Sequence, residues 1–291
     1  MSESRYTIRD YDYKKPTWCP GCGDFTILNV LKKVFVALNL PPHEVVIVSG
    51  IGCGSKLPHY IRVNGFHTIH GRALPIAMGL KIARPDLTVV SIGGDGDTFG
   101  IGAGHFANVP RSNIGVVHLA QNNGVFGLTT GQPSPTAPKG FRGNMYRPFQ
   151  PIQTALAAGA TFVARTWTGN PNHMEYVIKE AIKHVEAGYG FAFVDIIQYC
   201  ITYNPVIFGE PFITYYKKRE YDLQKDPEYD PSDIVMAYKM AHVDGDKFPI
   251  GIFYRDTSKR ALEVEFDLID SPPALMPREV KDISKILDKY R

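Results

Sequence analysis

Residues 87–97 read LTVVSIGGDGD, a run of apolar and β-branched residues that passes directly into a glycine-rich turn. A short apolar run of this kind predicts a strand that is buried on both faces. The same pattern returns in EVVIVSG at 44–50, IGVVHLAQNN at 114–123 and FAFVDII at 191–197. These stretches therefore predict further strands of the same sheet.

Segments with a helical pattern lie between the predicted strands, at 24–39, 72–83 and 171–187. Asp24 is the expected N-cap of the first helix, and Gly188 is the expected stop of the last. Alternation of continuous apolar strands with helices is typical of a doubly wound, mostly parallel sheet, so the predicted fold class is α/β. Such sheets bind ligands beyond the carboxyl ends of their strands.

Two stretches lack this periodicity. Residues 124–151 are rich in glycine, proline and hydroxyl residues, and an irregular segment of this length in a compact domain is usually functional. Residues 205–291 are aromatic, charged and interrupted by proline. We therefore expect a domain over residues 1–204 and an irregular C-terminal extension over 205–291 that packs on this domain or on a partner subunit. The extension is expected to end in a short helix whose apolar face carries Val280, Ile283, Ile286 and Leu287.

The charges of the 291-residue chain nearly balance, because 32 Lys and Arg against 29 Asp and Glu give a formal net charge of +3. A net charge this small gives no strong electrostatic attraction to nucleic acid or to an anionic membrane surface. No apolar run approaches the ~18–20 residues that a membrane span needs, and the polar N-terminus lacks the apolar core of a signal peptide. We expect a cytoplasmic protein that binds neither nucleic acid nor membrane.

Polar residues follow two of the predicted strands at the edge where ligands bind. Gly94-Asp95-Gly96 ends one strand and Asn122-Asn123 ends the next, with 25 residues between the two motifs. A glycine turn lets backbone N–H groups approach a phosphate, while carboxylate and amide oxygens suit Mg²⁺ bound to a diphosphate. One alternative is that the glycines serve only the backbone conformation of the turn and that the asparagines cap the strands. A dinucleotide-binding turn is the other, although it requires a third glycine where Phe99 stands.

The four cysteines form a second pattern. Cys19 and Cys22 make a CxxC pair ahead of the first predicted helix, whereas Cys53 and Cys200 follow predicted strands. All four can meet at the ligand-binding edge of the sheet, beside a helix N-terminus whose positive end suits an anionic group. An iron–sulfur cluster requires four thiolates and tolerates wide spacing. Zinc is the alternative, and zinc ribbons usually contain a second CxxC pair.

Together these motifs resemble the β subunit of the two-subunit, thiamine diphosphate-dependent 2-oxoacid:ferredoxin oxidoreductases. The resemblance covers residues 18–204. The matching stretches are WCPGCGDF at 18–25, GIGCGSK at 50–56, HGRALPIAMGLK at 70–81, GGDGDTFGIG at 93–102, NNGVFGLTTGQPSPT at 122–136 and CITYN at 200–204.

The resemblance implies a thiamine diphosphate-binding domain of the pyrophosphate type. The implied Mg²⁺ ligands are the side chains of Asp95 and Asn123 and the backbone carbonyl of Val125. The implied backbone donors to the diphosphate are Gly94, Gly96 and Asp97. Further implied cofactor contacts are Gly52, Cys53, Gly54, Ser55, His70, Gly127 and Leu128. The implied ligands of a 4Fe-4S cluster are Cys19, Cys22, Cys53 and Cys200.

The resemblance also implies three residues near the reaction centre, which are Lys56, Leu128 and Thr129. A solvated surface lysine is the alternative for Lys56. Pyruvate-selective relatives tend to carry asparagine where Leu128 stands, and many relatives carry lysine where Thr130 stands. The second difference puts in doubt a preference for acidic substrates such as 2-oxoglutarate. His67 and Arg72 are further candidates to line the site, with hydrogen-bonded structural roles as the alternative.

Members of this family convert a 2-oxo acid and coenzyme A into acyl-CoA and CO₂, and they pass single electrons through the cluster to ferredoxin. The implied partners are an α (or fused γα) subunit in a heterodimer, ferredoxin, a small 2-oxo acid such as pyruvate or 2-oxoglutarate, and coenzyme A. One alternative is a subunit of an indolepyruvate or branched-chain oxoacid ferredoxin oxidoreductase. Others are a zinc-binding thiamine decarboxylase subunit that does not use ferredoxin, and an electron-transfer or zinc-binding subunit without a thiamine site.

Overall fold

The four apolar stretches form neighbouring strands of one sheet in the computed structural model, which describes residues 5–242, 246–276 and 284–290. In chain order the strands are β1 (Val45–Ser49), β2 (Asn64–His67), β3 (Thr88–Gly94), β4 (Val117–Asn122), β5 (Val125–Phe126), β6 (Gln132–Pro133), β7 (Phe162–Trp167), β8 (Ala192–Ile197), β9 (Val206–Ile207), β10 (Glu210–Pro211), β11 (Glu220–Asp222) and β12 (Phe248–Arg255).

The α-helices are α1 (Gly23–Ala37), α2 (Ala73–Ala83), α3 (Ala103–Ser112), α4 (Pro151–Ala157), α5 (Pro171–Glu186), α6 (Phe212–Arg219), α7 (Ile234–Ala241), α8 (Leu262–Glu265) and α9 (Ser284–Leu287). Short 3₁₀ turns lie at Ile8–Tyr11, Gly54–His59, Phe141–Gly143, Leu223–Lys225 and Asp288–Tyr290, and a π-helical turn lies at Gly96–Ile101. Within the described ranges, no helix is long and apolar enough to cross a membrane.

The main sheet has eight strands in the described part of the chain, in the order β11-β12-β7-β8-β4-β3-β1-β2. Strand β12 runs antiparallel to β7, and the remaining neighbours in this sheet are parallel. Two small antiparallel pairs, β5 with β6 and β9 with β10, lie outside it. The predicted α/β class with a mostly parallel sheet is confirmed.

Helices cover both faces of the sheet. In β1, Val45 and Ile47 belong to the hydrophobic cluster that includes α1 and α5, whereas Val46 and Val48 belong to the cluster that includes α2, α3, α4 and α7. Successive side chains of a strand point to opposite faces, so these clusters lie on opposite sides of the sheet. Every residue of β1, β4, β7 and β8 is buried, which explains why apolar residues dominate their sequences.

The three predicted helices are confirmed as α1, α2 and α5, but the N-cap of α1 is wrong. Cys22 is the N-cap and Asp24 lies inside the first turn. The helix begins one residue earlier because the Gly23 N–H donates to the Tyr199 carbonyl at 2.9 Å. Gly188 follows α5, the last of the three predicted helices, with a φ of 76°, which is typical of a helix stop.

The C-terminal segment contributes strands that its composition did not predict. Strands β11 and β12 extend the main sheet beyond β7, and Phe253 of β12 is fully buried against α4 and α7. Pro249 and Gly251 interrupt the strand pattern in the sequence, and the β12 register shifts between Ile252 and Tyr254. The packing of Phe253 ties this segment to the core of the preceding 204 residues.

The division near residue 204 stays a prediction. The predicted terminal helix falls partly on α9, which carries Leu287, exposed at 50%. Val280 and Ile283 lie outside the described residues, as does the side chain of Ile286. The predicted apolar face of this helix therefore stays a prediction.

We predict that Phe253→Ala lowers the free energy of unfolding by about 3–5 kcal/mol, because it leaves a cavity in the core beneath the sheet. Phe266→Ala is the matched control, since Phe266 is 68% exposed and its loss should change stability by only about 0.5 kcal/mol. Chemical denaturation followed by circular dichroism measures both values. Equal effects would show that the C-terminal segment is not part of the core.

Candidate active site

A cleft opens beside the carboxyl ends of β1, β3 and β4, where the sequence predicted polar residues to meet. We call it the Asp95 cleft. The predicted site residues that line it are Gly52, Cys53, Gly54, His70, Gly94, Asp95, Gly96, Asp97, Asn123, Val125, Gly127, Leu128 and Thr129. The parallel order of the strands thus brings residues from distant parts of the chain into one site.

Asp95 lies at the end of β3 and is 2% exposed. Its Oδ2 accepts hydrogen bonds from the Gly124 N–H at 2.8 Å, the Ser134 hydroxyl at 2.6 Å and the Thr136 hydroxyl at 2.5 Å, while Oδ1 accepts from the Gly96 N–H at 2.9 Å. Burial raises the pKa of Asp95, and these hydrogen bonds oppose that effect by stabilising the carboxylate. The less saturated oxygen, Oδ1, is suited to bind a cation.

Asp97 connects three segments of the cleft wall through its side chain. Its Oδ1 accepts from the Ile51 N–H at 2.9 Å, the Gly71 N–H at 2.7 Å and His70 Nδ1 at 2.6 Å. The sequence predicted only that its backbone N–H faces a diphosphate. The structure adds that its carboxylate orients His70 and fixes the loops that follow β1 and β2.

Two glycines are required because other groups approach their backbone closely. A Cβ on Gly54 would overlap the side-chain oxygen of Gln121, and a Cβ on Gly96 would overlap the ring of Phe126. Any larger residue at either position would therefore displace a side chain that lines the cleft. Both glycines thus pack closely against the cleft wall, while the predicted approach of their turns to a phosphate stays a prediction.

The paired asparagines have different partners. Asn122 donates to Asp195 Oδ1 at 3.0 Å. Asn123 lines the Asp95 cleft, where its Oδ1 accepts from the Val125 N–H at 3.0 Å and its Nδ2 donates to Gln198 Oε1 at 2.6 Å. An oxygen lone pair of Asn123 remains for a further ligand, because an amide oxygen has two.

Some buried polar atoms of the cleft lack partners. Neither Gln121 Nε2 nor Gln121 Oε1 has a hydrogen-bond partner among the described residues, and neither does Asp24 Oδ1. Both side chains are at most 2% exposed and both line the Asp95 cleft. Leaving such groups unpaired is costly, so their presence fits a cleft that holds a polar ligand.

The four cysteines line a second cleft, which we call the cysteine cleft. All are free thiols, with Cys19 exposed and Cys200 buried. No group of three His, Cys, Asp or Glu side chains is placed to hold a single metal ion within the described ranges. The two clefts share a wall made of Asp24, Cys53, Asn123, Gly127, Leu128 and Gln198.

Burial raises the pKa of the Cys22 and Cys53 thiols, and the neighbouring Asp24 carboxylate raises both further. The Lys56 ammonium opposes this effect at Cys53. Burial also raises the pKa of Asp24, to about 7. Because metals bind the thiolate form, ligation in this cleft must release protons from these thiols.

Several predicted residues lie away from the Asp95 cleft. Lys56 lines the cysteine cleft, and the Ser55 hydroxyl is buried with no hydrogen-bond partner among the described residues. His67 pairs with His59 through ring nitrogens 2.6 Å apart, and Arg72 donates to backbone carbonyls. The predicted roles of Lys56 and Ser55 stay predictions.

The residues that sequence reasoning missed are mainly glutamines and hydroxyl residues. Gln121 and Gln198 follow or end predicted strands, and Ser134 and Thr136 lie in the irregular segment that the sequence marked as functional. Their place near strand ends was the available signal. Glutamine and serine occur in too many roles for that signal to identify them.

Two consecutive stretches of this chain match known protein families. Residues 50–196 match the family model for the C-terminal TPP-binding domain of thiamine pyrophosphate enzymes, and residues 200–270 match the model for the C-terminal part of the pyruvate ferredoxin oxidoreductase β subunit. The β subunit of 2-oxoacid:ferredoxin oxidoreductase 1 from Aeropyrum pernix is 42% identical, over 94% of this chain and 91% of its own length. The chain belongs to the β subunits of 2-oxoacid:ferredoxin oxidoreductases.

Further members of this family are similar to this chain over most of its length. The β subunit from Saccharolobus solfataricus is 43% identical over 88% of this chain and 89% of its own length. A solved 2-oxoglutarate:ferredoxin oxidoreductase from Magnetococcus marinus, with 2-oxoglutarate, coenzyme A and succinyl-CoA bound, has a TM-score of 0.84 at 33% identity and covers 100% of this chain and 98% of its own. The predicted family and the oxidoreductase class are confirmed, and a β subunit implies an α partner.

We predict that Asp97→Ala lowers the free energy of unfolding of this β subunit by about 2–4 kcal/mol, because two backbone N–H groups and His70 lose their acceptor. Asp97→Asn retains an oxygen at that position and should cost less than half as much. Urea denaturation measures both changes. Asp86→Ala is the control, because Asp86 is exposed and its side chain bonds only Arg84 among the hydrogen bonds and ion pairs described. An Asp97→Ala effect no larger than the control would show that Asp97 does not fix the loops.

Proposed function

We propose that this β subunit binds Mg²⁺–thiamine diphosphate in the Asp95 cleft and a 4Fe-4S cluster in the cysteine cleft. It would thereby serve CoA-acylating oxidative decarboxylation of a 2-oxo acid with one-electron transfer to ferredoxin. The observation that carries the proposal is the wall that the two clefts share. A redox group held by the cysteines would lie directly beside the cofactor that reacts with the substrate.

The donors of the Asp95 cleft fit Mg²⁺ and a diphosphate. Asp95 Oδ1 and Asn123 Oδ1 are hard oxygen donors, and the Val125 carbonyl is proposed as the third protein ligand. Gly94, Gly96 and Asp97 are proposed to donate backbone N–H groups to the diphosphate at the start of the π-helical turn. The Gly96 N–H would exchange its bond to Asp95 Oδ1 for one to the diphosphate when Oδ1 binds the metal. When bound, thiamine diphosphate supplies the electron sink for decarboxylation, while the protein positions it.

The cysteine cleft fits an iron–sulfur cluster. Cys19, Cys22, Cys53 and Cys200 are proposed as its four ligands, because all of them border one cleft and all are free thiols. When bound, the cluster accepts electrons singly, as a ferredoxin-dependent reaction requires. Lys56 adds positive charge beside Cys53, which favours the anionic form of the ligand set.

The proposed substrates are a small 2-oxo acid and coenzyme A. The Magnetococcus marinus relative binds 2-oxoglutarate, coenzyme A and succinyl-CoA, which supports the same classes of ligand here. Leu128 and Thr129 are exposed at the mouth of the Asp95 cleft and are proposed to contact the substrate. The α subunit is proposed to close this face, and the C-terminal segment is proposed to contribute to that contact.

We predict that Asp95→Asn weakens the binding of thiamine diphosphate in the presence of Mg²⁺ by at least tenfold, because it removes the charged ligand of the metal. Isothermal titration calorimetry on the αβ complex measures the affinity. Asp86→Asn is the matched control and should bind normally. The iron content of the Asp95 variant should stay at the wild-type level, since Asp95 borders only the Asp95 cleft of the two. Unchanged cofactor affinity would remove Asp95 from the metal site.

The reciprocal prediction concerns Cys200, which borders the cysteine cleft and not the Asp95 cleft. Cys200→Ser should reduce iron and sulfide per chain and abolish viologen reduction, because a thiolate ligand is lost. Binding of thiamine diphosphate should stay within about twofold of wild type. Iron analysis, a viologen assay and calorimetry measure the three quantities. Wild-type viologen reduction in this variant would exclude Cys200 as a ligand of the electron acceptor.

A further inference from the structure

Gln198 lies in the wall between the two clefts and is 1% exposed. Its Oε1 accepts from Asn123 Nδ2 at 2.6 Å. Its Nε2 donates to Cys22 Sγ at 3.2 Å and to the Tyr199 carbonyl at 3.0 Å. One side chain therefore bonds a proposed Mg²⁺ ligand on one side and a proposed cluster ligand on the other.

The partners of Gln198 determine which way its amide points. The Tyr199 carbonyl and the Cys22 sulfur both act as acceptors toward Gln198, so the NH₂ group must face them. Oε1 then faces Asn123 and requires a donor, which fixes Nδ2 of Asn123 on that side. Asn123 Oδ1 is consequently turned away from Gln198, which leaves it available as an oxygen ligand. The orientation of Asn123 thus depends on an acceptor that lies beside the cysteine cleft.

We propose that Gln198 is a positioning residue that couples the two sites, so that filling the Asp95 cleft changes the reduction potential of the group held by Cys22. This inference rests on the proposed function. A cation on Asn123 Oδ1 withdraws charge from the amide and strengthens donation from Nδ2 to Gln198. Bonds in such a chain polarise one another, so donation from Gln198 Nε2 to the sulfur strengthens as well.

The sign of the coupling follows from the charge on the sulfur. Reduction adds negative charge to a cluster and its thiolates, and an N–H donor stabilises the more negative state. Cofactor binding should therefore raise the reduction potential. Because coupling between two sites is reciprocal, reduction should tighten cofactor binding by the same factor. An electron acceptor that becomes easier to reduce when the cofactor is present suits the proposed reaction.

The test is a redox titration of the αβ complex, followed by electron paramagnetic resonance, with and without Mg²⁺ and thiamine diphosphate and in the absence of substrate. In the wild type, the cofactor should shift the one-electron equilibrium toward the reduced form by three- to tenfold, which is about 28–59 mV. In Gln198→Met, which matches the side chain in length but makes neither bond, the potential should be lower and independent of the cofactor.

Gln198→Glu distinguishes the hydrogen bond to Asn123 from the hydrogen bond to Cys22. It retains an acceptor for Asn123 but loses the donor to Cys22, so cofactor affinity should stay closer to wild type than in Gln198→Met. Its potential should still be lower and independent of the cofactor. Gln153→Leu on α4 is the matched control, because Gln153 borders neither cleft and its loss should leave the cofactor-dependent shift intact.

Iron and sulfide are measured in every sample before titration. A wild-type potential that does not respond to the cofactor would overturn the coupling while leaving the proposed function intact. A wild-type response that persists in both Gln198 variants would do the same. Loss of iron from both variants would show a structural role for Gln198 and would also overturn the coupling. Wild-type protein without iron and acid-labile sulfide would overturn the proposed function and the coupling together.

Discussion

The parallel pairing of β1, β3, β4 and β8 is the constraint on which the site depends. Because these strands run in one direction, their carboxyl ends deliver the loop after β1, the Asp95 turn, Asn123 and Gln198 to one edge of the sheet. Helices on both faces bury the strands, so the edge is held by the core rather than by the loops themselves. Side chains from residues as far apart as Cys19 and Cys200 are thereby gathered into two adjoining clefts.

The buried polar side chains that line the Asp95 cleft differ in how fully they are hydrogen-bonded. Asp95 and Asp97 each accept at least three hydrogen bonds from within the chain, and these bonds stabilise the turns that shape the cleft. Asp24 and Gln121 keep buried atoms without partners among the described residues. Such groups cost stability in the free chain. They lie where a ligand with polar groups could satisfy them, so binding would recover the stability that they cost.

The sequence predicted much of the fold because unbroken apolar strands and intervening helices have strong, local signals. Strand β12 was not predicted because Pro249 and Gly251 interrupt its pattern. Its burial also depends on pairing with β7, about 90 residues earlier in the chain. The glycine turn, the asparagine pair and the cysteines were recognisable because their residue types have few roles. Gln121 and Gln198 were not, since a glutamine acquires its role only from its neighbours in space. Asp24 was assigned to a cap because an aspartate stands at the start of the helical pattern, whereas the helix begins one residue earlier.

The proposed function requires that a redox cluster and a thiamine diphosphate site share a wall in this β subunit. The most direct test measures iron, acid-labile sulfide and zinc per chain, with a visible spectrum, on the αβ complex prepared without oxygen. We predict about four irons and four sulfides per β chain, with broad absorbance that bleaches on reduction. One zinc per chain with no sulfide would contradict it, because the cysteines would then hold a metal that accepts no electrons.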